Sequence, residues 1–397
     1  MADIMMQLLM NADVHAPESL GMRSLLVGGG RVLWMGPEGA SAAKPAGQFD
    51  AQVIDLEGRR LIPGLIDCHA HVTGGGGEAG YGTSMAPLRA SEFTSHGITG
   101  VIGLLGTDDC VRTTGQLVHA VYGLRAAGLS AWCYTGGYHL PPTTLTGSIR
   151  GDIVHVDPIL GFGELALSDH RSSQLSLDEV LRVASDVHVG GLMTGKAGVL
   201  HLHMGDGERG LELVRAALQT SEIPARVFHP THVNRRRHLF EEALTLTERG
   251  VTVDITAEHE APGQAGHGAG PGAGPDAELP ASYAVRTILT SHIDPRCWTV
   301  SSDGGGCLPK FDDEGQVCSY EVGQPAVLAA LLAKLLDEGY SLSKILPGFT
   351  TNPADLMRLK GHGRIAVGGY ANLVSLADTT HRVRDVWCQG SRVVSGE

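Results

Sequence analysis

The 397-residue sequence predicts an α/β protein that combines a (β/α)8 TIM-like barrel with a small β-sandwich domain built from both ends of the chain. The middle of the chain alternates strand-like apolar runs with helix-like stretches, which is typical of a parallel barrel. Both ends instead carry short strand-like runs separated by turn residues, as at 24–36 and 371–378. We therefore expect residues 1–61 and 362–397 to form the small domain and residues 62–361 to form the barrel.

Eight strand-like runs make up the predicted barrel, and helix-like stretches such as 177–188 and 236–249 separate most of them. In chain order the runs cover 64–72, 98–106, 130–139, 158–168, 198–205, 225–233, 251–259 and 298–305. One segment, 261–281, breaks the alternation because it consists largely of Gly, Ala and Pro. It is expected to be a mobile loop after the seventh strand, either a simple insertion or a lid, since barrel loops on that side border the active site.

Composition and charge narrow the class of protein. The net charge of −13 argues against a nucleic-acid surface, and no apolar run reaches the roughly 18 residues of a membrane span. Residues 1–10 have no basic region, so they are expected to form a first strand rather than a signal peptide. Seven cysteines without a C-x-x-C pair favour a reducing cytoplasm over a disulfide framework. The expected partner is a small molecule, not a nucleic acid or a membrane.

Potential metal ligands follow five of the eight predicted strands. His69 and His71 are two residues apart, and because strand residues alternate between faces, both imidazoles point the same way. The carboxyl ends of barrel strands converge on one mouth, where these imidazoles are expected to meet the ligands that follow other strands. Those ligands are Glu164, His203, His232 and Asp303. Four imidazoles and two carboxylates suit two divalent ions, and zinc is the expected ion.

Other histidines are expected to lie in the barrel interior. His201 shares a strand face with His203 but lies deeper in the strand, so it is expected to fill the barrel. His229 and His232 are an odd number of residues apart, and an extended strand points such residues in opposite directions. At most one of the two is therefore expected to be a ligand.

Several short motifs resemble those of isoaspartyl dipeptidases, a family of the amidohydrolase superfamily. The H-x-H pair after the first strand and the aspartate after the eighth are the general amidohydrolase pattern. More specific matches, which span nearly the whole chain, are GGGGEAG (74–80), GLLGTD (103–108), TGGYH (135–139), SDHRS (168–172), HMGD (203–206), PTHVNR (230–235) and SSDGGG (301–306). The resemblance implies an amidohydrolase-type barrel and a homo-oligomer, with an octamer as the expected size. It also implies that a hydroxide bridging two metals cleaves the β-aspartyl bond of dipeptides.

The resemblance implies a role for each ligand in the metal site. His69 and His71 would bind the first metal, and His203 and His232 would bind the second. Asp303 would bind the first metal and shuttle a proton from the bridging hydroxide to the leaving amine.

Six further motif residues would surround the dipeptide if the resemblance holds. Tyr138 would bind the scissile carbonyl, and Glu78 would bind the α-ammonium. Thr107 and the Gly76 backbone would bind the α-carboxylate, and Arg171 and Arg235 would bind the terminal carboxylate. A β-linked aspartyl dipeptide carries two carboxylates and one ammonium. Two arginines and one glutamate complement these charges, and the planar fork of arginine suits a carboxylate.

Two positions depart from the family pattern. The family's bridging ligand is usually a lysine carboxylated on its side-chain nitrogen, and Glu164 occupies the matching position, seven residues before Arg171. Glutamate has the same charge but a shorter side chain, so the strand must approach the metals more closely. Gly161 and Gly163 would permit this approach as a β-bulge. The alternative is a structural Glu164 and a single metal. Cys307 stands where the family usually has a serine that contacts the terminal carboxylate, and a thiol is a weaker donor.

Two other functions are compatible with the motifs. A different amidohydrolase would act on cyclic amides or on N-acyl amino acids. Cyclic amides lack the ammonium and the terminal carboxylate that Glu78, Arg171 and Arg235 would bind. A non-catalytic assembly subunit would be expected to have lost metal ligands, whereas each ligand position here holds a suitable residue.

Overall fold

The computed structural model describes residues 6–37, 51–78, 80–257, 278–311 and 317–396. Most of the predicted loop 261–281 and the first five residues of the chain lie outside this described part. Strands from both ends of the chain belong to one eight-stranded sheet. They are β1 (Gln7–His15), β2 (Ser19–Gly28), β3 (Arg31–Pro37), β4 (Gln52–Asp55), β5 (Arg60–Pro63), β16 (Leu373–Leu376), β17 (Val383–Cys388) and β18 (Ser391–Val394).

The two ends of the chain meet at β5, which lies between β1 and β16. Leu61 of β5 pairs in parallel with Val14 and antiparallel with Ser375. The indole of Trp387 donates a hydrogen bond to Oε1 of Gln7 at 2.8 Å, which ties β17 to β1. This sheet has its own cluster of buried apolar residues, separate from the core of the barrel. The prediction that both termini build one β-rich unit is therefore confirmed.

The central barrel contains eight strands within the described residues. They are β6 (Leu65–Ala70), β7 (Ile98–Gly103), β8 (Ser130–Thr135), β9 (Ile159–Leu167), β10 (Val199–Met204), β11 (Phe228–Thr231), β12 (Val253–Thr256) and β13 (Trp298–Ser301). Strands β6 to β11 form one parallel sheet, and β12 and β13 form a parallel pair. Because β12 lies beside β11 and β13 beside β6, the strands follow chain order around a ring. Each strand falls within one of the eight predicted runs, so the predicted barrel is confirmed.

The described part of the chain contains ten α-helices, and no helix there is long and apolar enough to cross a membrane. They are α1 (Ala90–Thr94), α2 (Thr114–Ala126), α3 (Ile149–His155), α4 (Leu177–Thr194), α5 (Glu212–Thr220), α6 (Arg237–Thr247), α7 (Ala281–Thr290), α8 (Ala326–Asp337), α9 (Leu342–Phe349) and α10 (Thr351–Leu356).

Helix α4 shows how local sequence positions a barrel helix. It begins with a capping box in which Ser176 and Glu179 each accept a hydrogen bond from the backbone N–H of the other. It ends at Gly195, whose φ of 72° is in the left-handed region that favours glycine. Buried apolar residues recur three and four positions apart between Val180 and Val187, which produces one apolar face. The helix packs on β9 and β10, the strands that carry two of the predicted metal ligands.

A β-hairpin that the sequence did not predict follows the eighth barrel strand. Its strands, β14 (Cys307–Phe311) and β15 (Val317–Val322), pair antiparallel. Cys307 is the first residue of the hairpin and lies only four positions after Asp303. The hairpin therefore leaves the barrel at the end where the predicted ligands lie.

Candidate active site

All six predicted metal ligands come together at the carboxyl ends of the barrel strands. His69 lies near the end of β6 and His71 follows it, while His203 lies near the end of β10. His232 is the first residue after β11, and Asp303 is the second residue after β13. All six side chains are buried. Their ligand atoms form three overlapping groups, each spanning no more than 4.8 Å: His69–His71–Glu164, Glu164–His203–His232 and His69–His232–Asp303.

Glu164 lies between the two halves of this cluster. Its Oε2 is 3.1 Å from Nδ1 of His203 and 3.6 Å from Nε2 of His69. The same oxygen is 3.7 Å from Nε2 of His232, and Oε1 is 3.5 Å from Nε2 of His71. One carboxylate therefore faces all four imidazoles, as expected for a ligand shared by two ions.

A β-bulge brings Glu164 into this position. Between two paired positions on either side, Gly163 and Glu164 of β9 oppose a single residue of β10, His201. A β-carbon at Gly163 would lie 2.7 Å from Cβ of His201, and one at Gly161 would lie 2.1 Å from the carbonyl oxygen of Val199. Only glycine permits β9 to approach β10 this closely. The bulge that the sequence predicts from these glycines is present.

Asp303 completes the half of the cluster that contains the H-x-H pair. Its Oδ1 is 3.2 Å from Nε2 of His69 and 3.1 Å from Nε2 of His71. Both Oδ1 of Asp303 and Nε2 of His69 are buried and have no hydrogen-bond partner among the described residues. Such atoms are rare in proteins, and a cation between them would satisfy both. The donor set therefore fits a metal ion.

The charges of the cluster also favour cations. Burial alone would raise the pKa of Glu164 and of Asp303, but neighbouring imidazoles outweigh it and hold both pKa values well below their usual range. Burial alone would lower the pKa of His69, yet these two carboxylates raise it to about 9. Burial lowers the pKa of His232 to about 3. The carboxylates are thus ionised, and a metal ion would displace the proton that His69 otherwise attracts.

The backbone at His232 explains why this histidine, and not His229, joins the cluster. His232 has a φ of 58°, in the left-handed region, so it does not continue the alternation of an extended strand. His229 lies in the barrel interior, and its Nδ1 is 2.9 Å from Nδ1 of His201. His232 therefore joins the cluster because of this backbone angle, and not because an odd spacing along an extended strand points the two histidines in opposite directions. Among the described residues, His232 belongs to metal-binding groups and His229 does not.

Tyr138 and Asp169 flank the imidazole of His203. The hydroxyl of Tyr138 is 2.8 Å from Nδ1 of His203. Burial, together with the charge of Glu164, raises the pKa of Tyr138 well above its usual value, so the phenol keeps its proton. Asp169 lies on the other side of the ring, with Oδ2 3.2 Å from Nε2 of His203. A carboxylate behind a ligating imidazole orients the ring and raises its basicity.

Arg171 is held between two carboxylates. Its Nε and Nη2 donate to the two oxygens of Asp169 at 3.0 Å and 2.7 Å, which is a bidentate pair. Its Nη1 donates to Oε1 of Glu78 at 3.3 Å, and the hydroxyl of Thr107 donates to the same oxygen at 2.8 Å. Nη2 also lies 3.4 Å from Nε2 of His203. Three predicted substrate-binding residues thus form one hydrogen-bonded group against the ligand cluster.

The remaining predicted substrate-binding residues border the same region. Nη1 of Arg235 lies 3.2 Å from Nε2 of His203. Gly76 has a φ of 86°, and a β-carbon there would lie 2.8 Å from Cβ of Cys307. Burial, assisted by the charge of Glu78, raises the pKa of Cys307 to about 11, so this residue is a neutral thiol at neutral pH.

Two residues of the site were not singled out from the sequence, although both lie in motifs named above. Asp169 precedes Arg171 by two positions in SDHRS. His139 follows Tyr138 in TGGYH, and its Nδ1 is 2.9 Å from Oδ1 of Asp109. Its Nε2 is 3.0 Å from the carbonyl oxygen of Arg171, so this ring links the loops after β7, β8 and β9. Side-chain contacts between separate loops have no signature in the spacing of residues along the chain.

A barrel with metal-binding residues at its strand ends is similar to the barrels of amidohydrolases. Residues 52–129 match the family model described as "Amidohydrolase family". An adenine deaminase and an imidazolonepropionase of Paracoccus denitrificans are 34% identical over 97 residues and 46% identical over 56 residues. These matches cover 24% and 14% of this chain but only 16% and 13% of the relatives' own lengths. A dihydropyrimidinase from Brevibacillus agri, 16% identical, shares the fold with a TM-score of 0.63 and covers 99% of this chain and 95% of its own.

A much closer similarity extends over nearly the whole chain. The β-aspartyl dipeptidase of Fervidobacterium islandicum AW-1, solved in complex with β-Asp-Leu, is 36% identical with a TM-score of 0.89. The match covers 98% of this chain and 97% of that one. The chain therefore belongs to the β-aspartyl dipeptidase family of amidohydrolases. The resemblance predicted from the motifs is confirmed.

Proposed function

We propose that the protein hydrolyses the β-aspartyl peptide bond of dipeptides and releases aspartate and a second amino acid. The observation that carries this proposal is the hydrogen-bonded group of Glu78, Thr107 and Arg171 beside the cluster of potential metal ligands. An acid and an arginine next to a metal centre suit a dipeptide that carries both an ammonium and carboxylates. The similarity to an enzyme solved with β-Asp-Leu adds support.

Two divalent ions, expected to be zinc, would occupy the cluster. His69, His71 and Asp303 would hold one ion, His203 and His232 the other, and Glu164 both. When bound, the ions supply a Lewis acid for the scissile carbonyl and lower the pKa of a bound water. Since Glu164 is ionised without any modification, it would hold both ions without CO₂.

Asp303 would move the proton during hydrolysis. Despite its burial, the nearby imidazoles keep its pKa low, so the carboxylate carries no proton before the reaction begins. Its contacts with His69 and His71 keep it in the ligand cluster, where the attacking water would lie. It would then donate this proton to the nitrogen of the leaving amino acid.

Tyr138 would stabilise the oxygen of the scissile carbonyl. Its raised pKa keeps the hydroxyl protonated, so it is a hydrogen-bond donor throughout. The hydroxyl lies 2.8 Å from Nδ1 of His203, next to where the second ion would lie. A donor fixed in advance where negative charge develops stabilises the transition state.

The polar groups around the cluster would distinguish the two ends of the dipeptide. Glu78 would bind the α-ammonium, and the hydroxyl of Thr107 and the backbone N–H of Gly76 would bind the α-carboxylate. Arg171 and Arg235 would bind the terminal carboxylate, with Arg171 oriented by its bidentate contact with Asp169. Cys307 would lie near this carboxylate and donate more weakly than a serine, which would reduce affinity for the second residue.

We propose further that the protein is a cytoplasmic homo-oligomer, with an octamer as the expected size. The cysteines whose side chains are described have free thiols, which agrees with a reducing compartment. The proposed limits of its parts are 1–61 and 362–397 for the β domain and 62–361 for the barrel.

Parallel hydrolysis assays of β-Asp-Leu, α-Asp-Leu, an N-acyl amino acid and a cyclic amide would test the proposed function. We expect efficient cleavage of β-Asp-Leu and little cleavage of the others. Glu78→Gln should bind the same amount of metal but lose activity towards β-Asp-Leu, because an amide cannot pair with the ammonium as a carboxylate does. Equal rates on α- and β-linked dipeptides would contradict the assignment. Preferential hydrolysis of a cyclic or N-acyl amide would favour another amidohydrolase activity, and absence of bound metal would favour a non-catalytic subunit.

A further inference from the structure

A chain of hydrogen bonds runs from a proposed metal ligand into the interior of the barrel. Nδ1 of His69 is 2.8 Å from Nε2 of His201, and Nδ1 of His201 is 2.9 Å from Nδ1 of His229. Nε2 of His229 is 3.0 Å from the hydroxyl oxygen of Thr299, which donates to Oδ1 of Asp254 at 2.5 Å. All five residues are completely buried. The chain thus connects the metal site to a carboxylate through four hydrogen bonds.

The carboxylate of Asp254 determines the direction of the last two bonds. The hydroxyls of Thr231 and Ser301 donate to its Oδ2 and the hydroxyl of Thr299 donates to its Oδ1, so both oxygens of Asp254 are acceptors. Thr299 uses its only hydrogen to donate to Oδ1. Its oxygen can therefore only accept from Nε2 of His229, which must carry a hydrogen.

The two intermediate histidines are neutral. Both nitrogens of His201 face other imidazoles, and among the described residues this buried ring has no carboxylate partner that would stabilise a charge on it. Burial lowers the pKa of His229 to about 4. The ring of His201 is also stacked on Tyr134, with centroids 5.0 Å apart and planes inclined by 8°. Each ring therefore carries one N–H and one lone pair.

The tautomer of each ring follows from the one before it. Because His229 donates from Nε2, its Nδ1 accepts, and His201 must donate from Nδ1. Nε2 of His201 then accepts, and His69 must donate from Nδ1. This assigns the lone pair of a neutral His69 to Nε2, the atom that faces Glu164 and Asp303.

We propose that the buried carboxylate of Asp254 fixes the tautomer of His69 through this chain and so prepares His69 to bind metal. Asp254 is a positioning residue, since it belongs to none of the groups of potential metal ligands and contacts hydroxyl groups in the barrel interior. The inference rests on the proposed role of His69 as a ligand. Loss of groups that orient a metal-binding histidine typically weakens metal binding about 10–100-fold, which is the effect expected here.

Neutron diffraction in D₂O from crystals of the metal-free protein, kept above the pKa of about 9 so that His69 is neutral, would locate the deuterons directly. We expect deuterons on Nδ1 of His69, Nδ1 of His201 and Nε2 of His229. A deuteron on Nε2 of His201 or on Nδ1 of His229 would reverse the chain and overturn the proposal. This measurement does not depend on activity or on the folding of any variant.

Zinc affinity, measured by competition with a chelator, would test the consequence for the metal site. Thr299→Val removes the hydroxyl at nearly constant volume and should weaken zinc binding about 10–100-fold, whereas Thr299→Ser should restore it. Thr135→Val is a matched control, because the hydroxyl of Thr135 also donates to a buried carboxylate, that of Asp152. Asp152 accepts further hydrogen bonds from the loop at 145–146, and among the described residues no chain of histidines leads from Thr135 to the metal site. Wild-type affinity in Thr299→Val, or equal weakening in Thr135→Val, would overturn the proposal. A wild-type protein that binds no zinc would instead refute the proposed metal centre, whatever the deuteron positions are.

Discussion

Replacement of Gly161 by alanine would test whether the close approach of β9 to β10 places the bridging carboxylate. A β-carbon at this position would lie 2.1 Å from the carbonyl oxygen of Val199, whereas ordinary van der Waals contact begins at 3.4 Å. The obstacle is backbone, which cannot rotate away as a side chain can. The two strands would have to separate locally by the difference, about 1.3 Å.

Such a displacement is large on the scale of metal coordination. Glu164 lies three residues further along β9 and would move with the strand, while metal–ligand distances vary by only about 0.2 Å. Even if the backbone absorbed most of the displacement before Glu164, the remaining shift would exceed this variation. The carboxylate could then no longer reach both ions. We therefore expect Gly161→Ala to bind about one ion per chain instead of two and to lose about 1–3 kcal/mol of stability, as overpacked sites do.

Metal content and thermal unfolding of the purified variant would measure both effects. Gly123→Ala, in the last turn of α2, is the control, because a β-carbon there would meet no heavy atom within 4 Å. Alanine in a helix should leave the metal content unchanged and raise stability by up to about 1 kcal/mol. If Gly161→Ala retained two ions and melted with the wild type, the argument that glycine places Glu164 would be wrong.

Three further predictions concern the carboxylates of the site. Asp303→Asn should fold normally but lose about 10²–10⁴-fold in kcat, because an amide cannot shuttle the proton; near-normal turnover in a metal-loaded variant would contradict this role. Metal loading of the wild type should be indifferent to removal of CO₂ or addition of bicarbonate, because Glu164 is a permanent carboxylate. Glu164→Gln should bind clearly fewer than two ions, and full occupancy measured by elemental analysis would show that the bridge lies elsewhere.

The parts of the fold that the sequence predicted are those with a local signature. Each barrel strand is a buried apolar run bounded by turn residues, so the pattern of apolar and turn residues alone locates all eight. His69 and His71 share a strand face, which the i, i+2 spacing reveals directly. Gly161 and Gly163 likewise indicated a close approach of backbone, because glycine in a strand has few other uses.

The parts that were missed depend on contacts between distant segments or on a single backbone angle. The left-handed conformation of His232 overrides strand alternation, and no spacing rule contains it. His201 was expected to fill the barrel, which it does, but its bond to His69 joins residues that are 132 positions apart. Asp169 contacts His203 as well as Arg171, and the contact with His203 forms only because the ends of two separate strands meet. The hairpin that begins at Cys307 was not predicted either, because its strands are short and do not alternate clearly.

The position of β5 between β1 and β16 has a consequence for the order of events during synthesis. About 300 residues separate Leu61 from its partner Ser375, and a ribosome that adds roughly 5–20 residues per second needs roughly 15–60 s to supply that partner. Throughout this interval one edge of β5 has no neighbour and can pair with other nascent chains. We therefore expect the N-terminal strands to be the region of the emerging chain that a chaperone must shield until the last strands arrive.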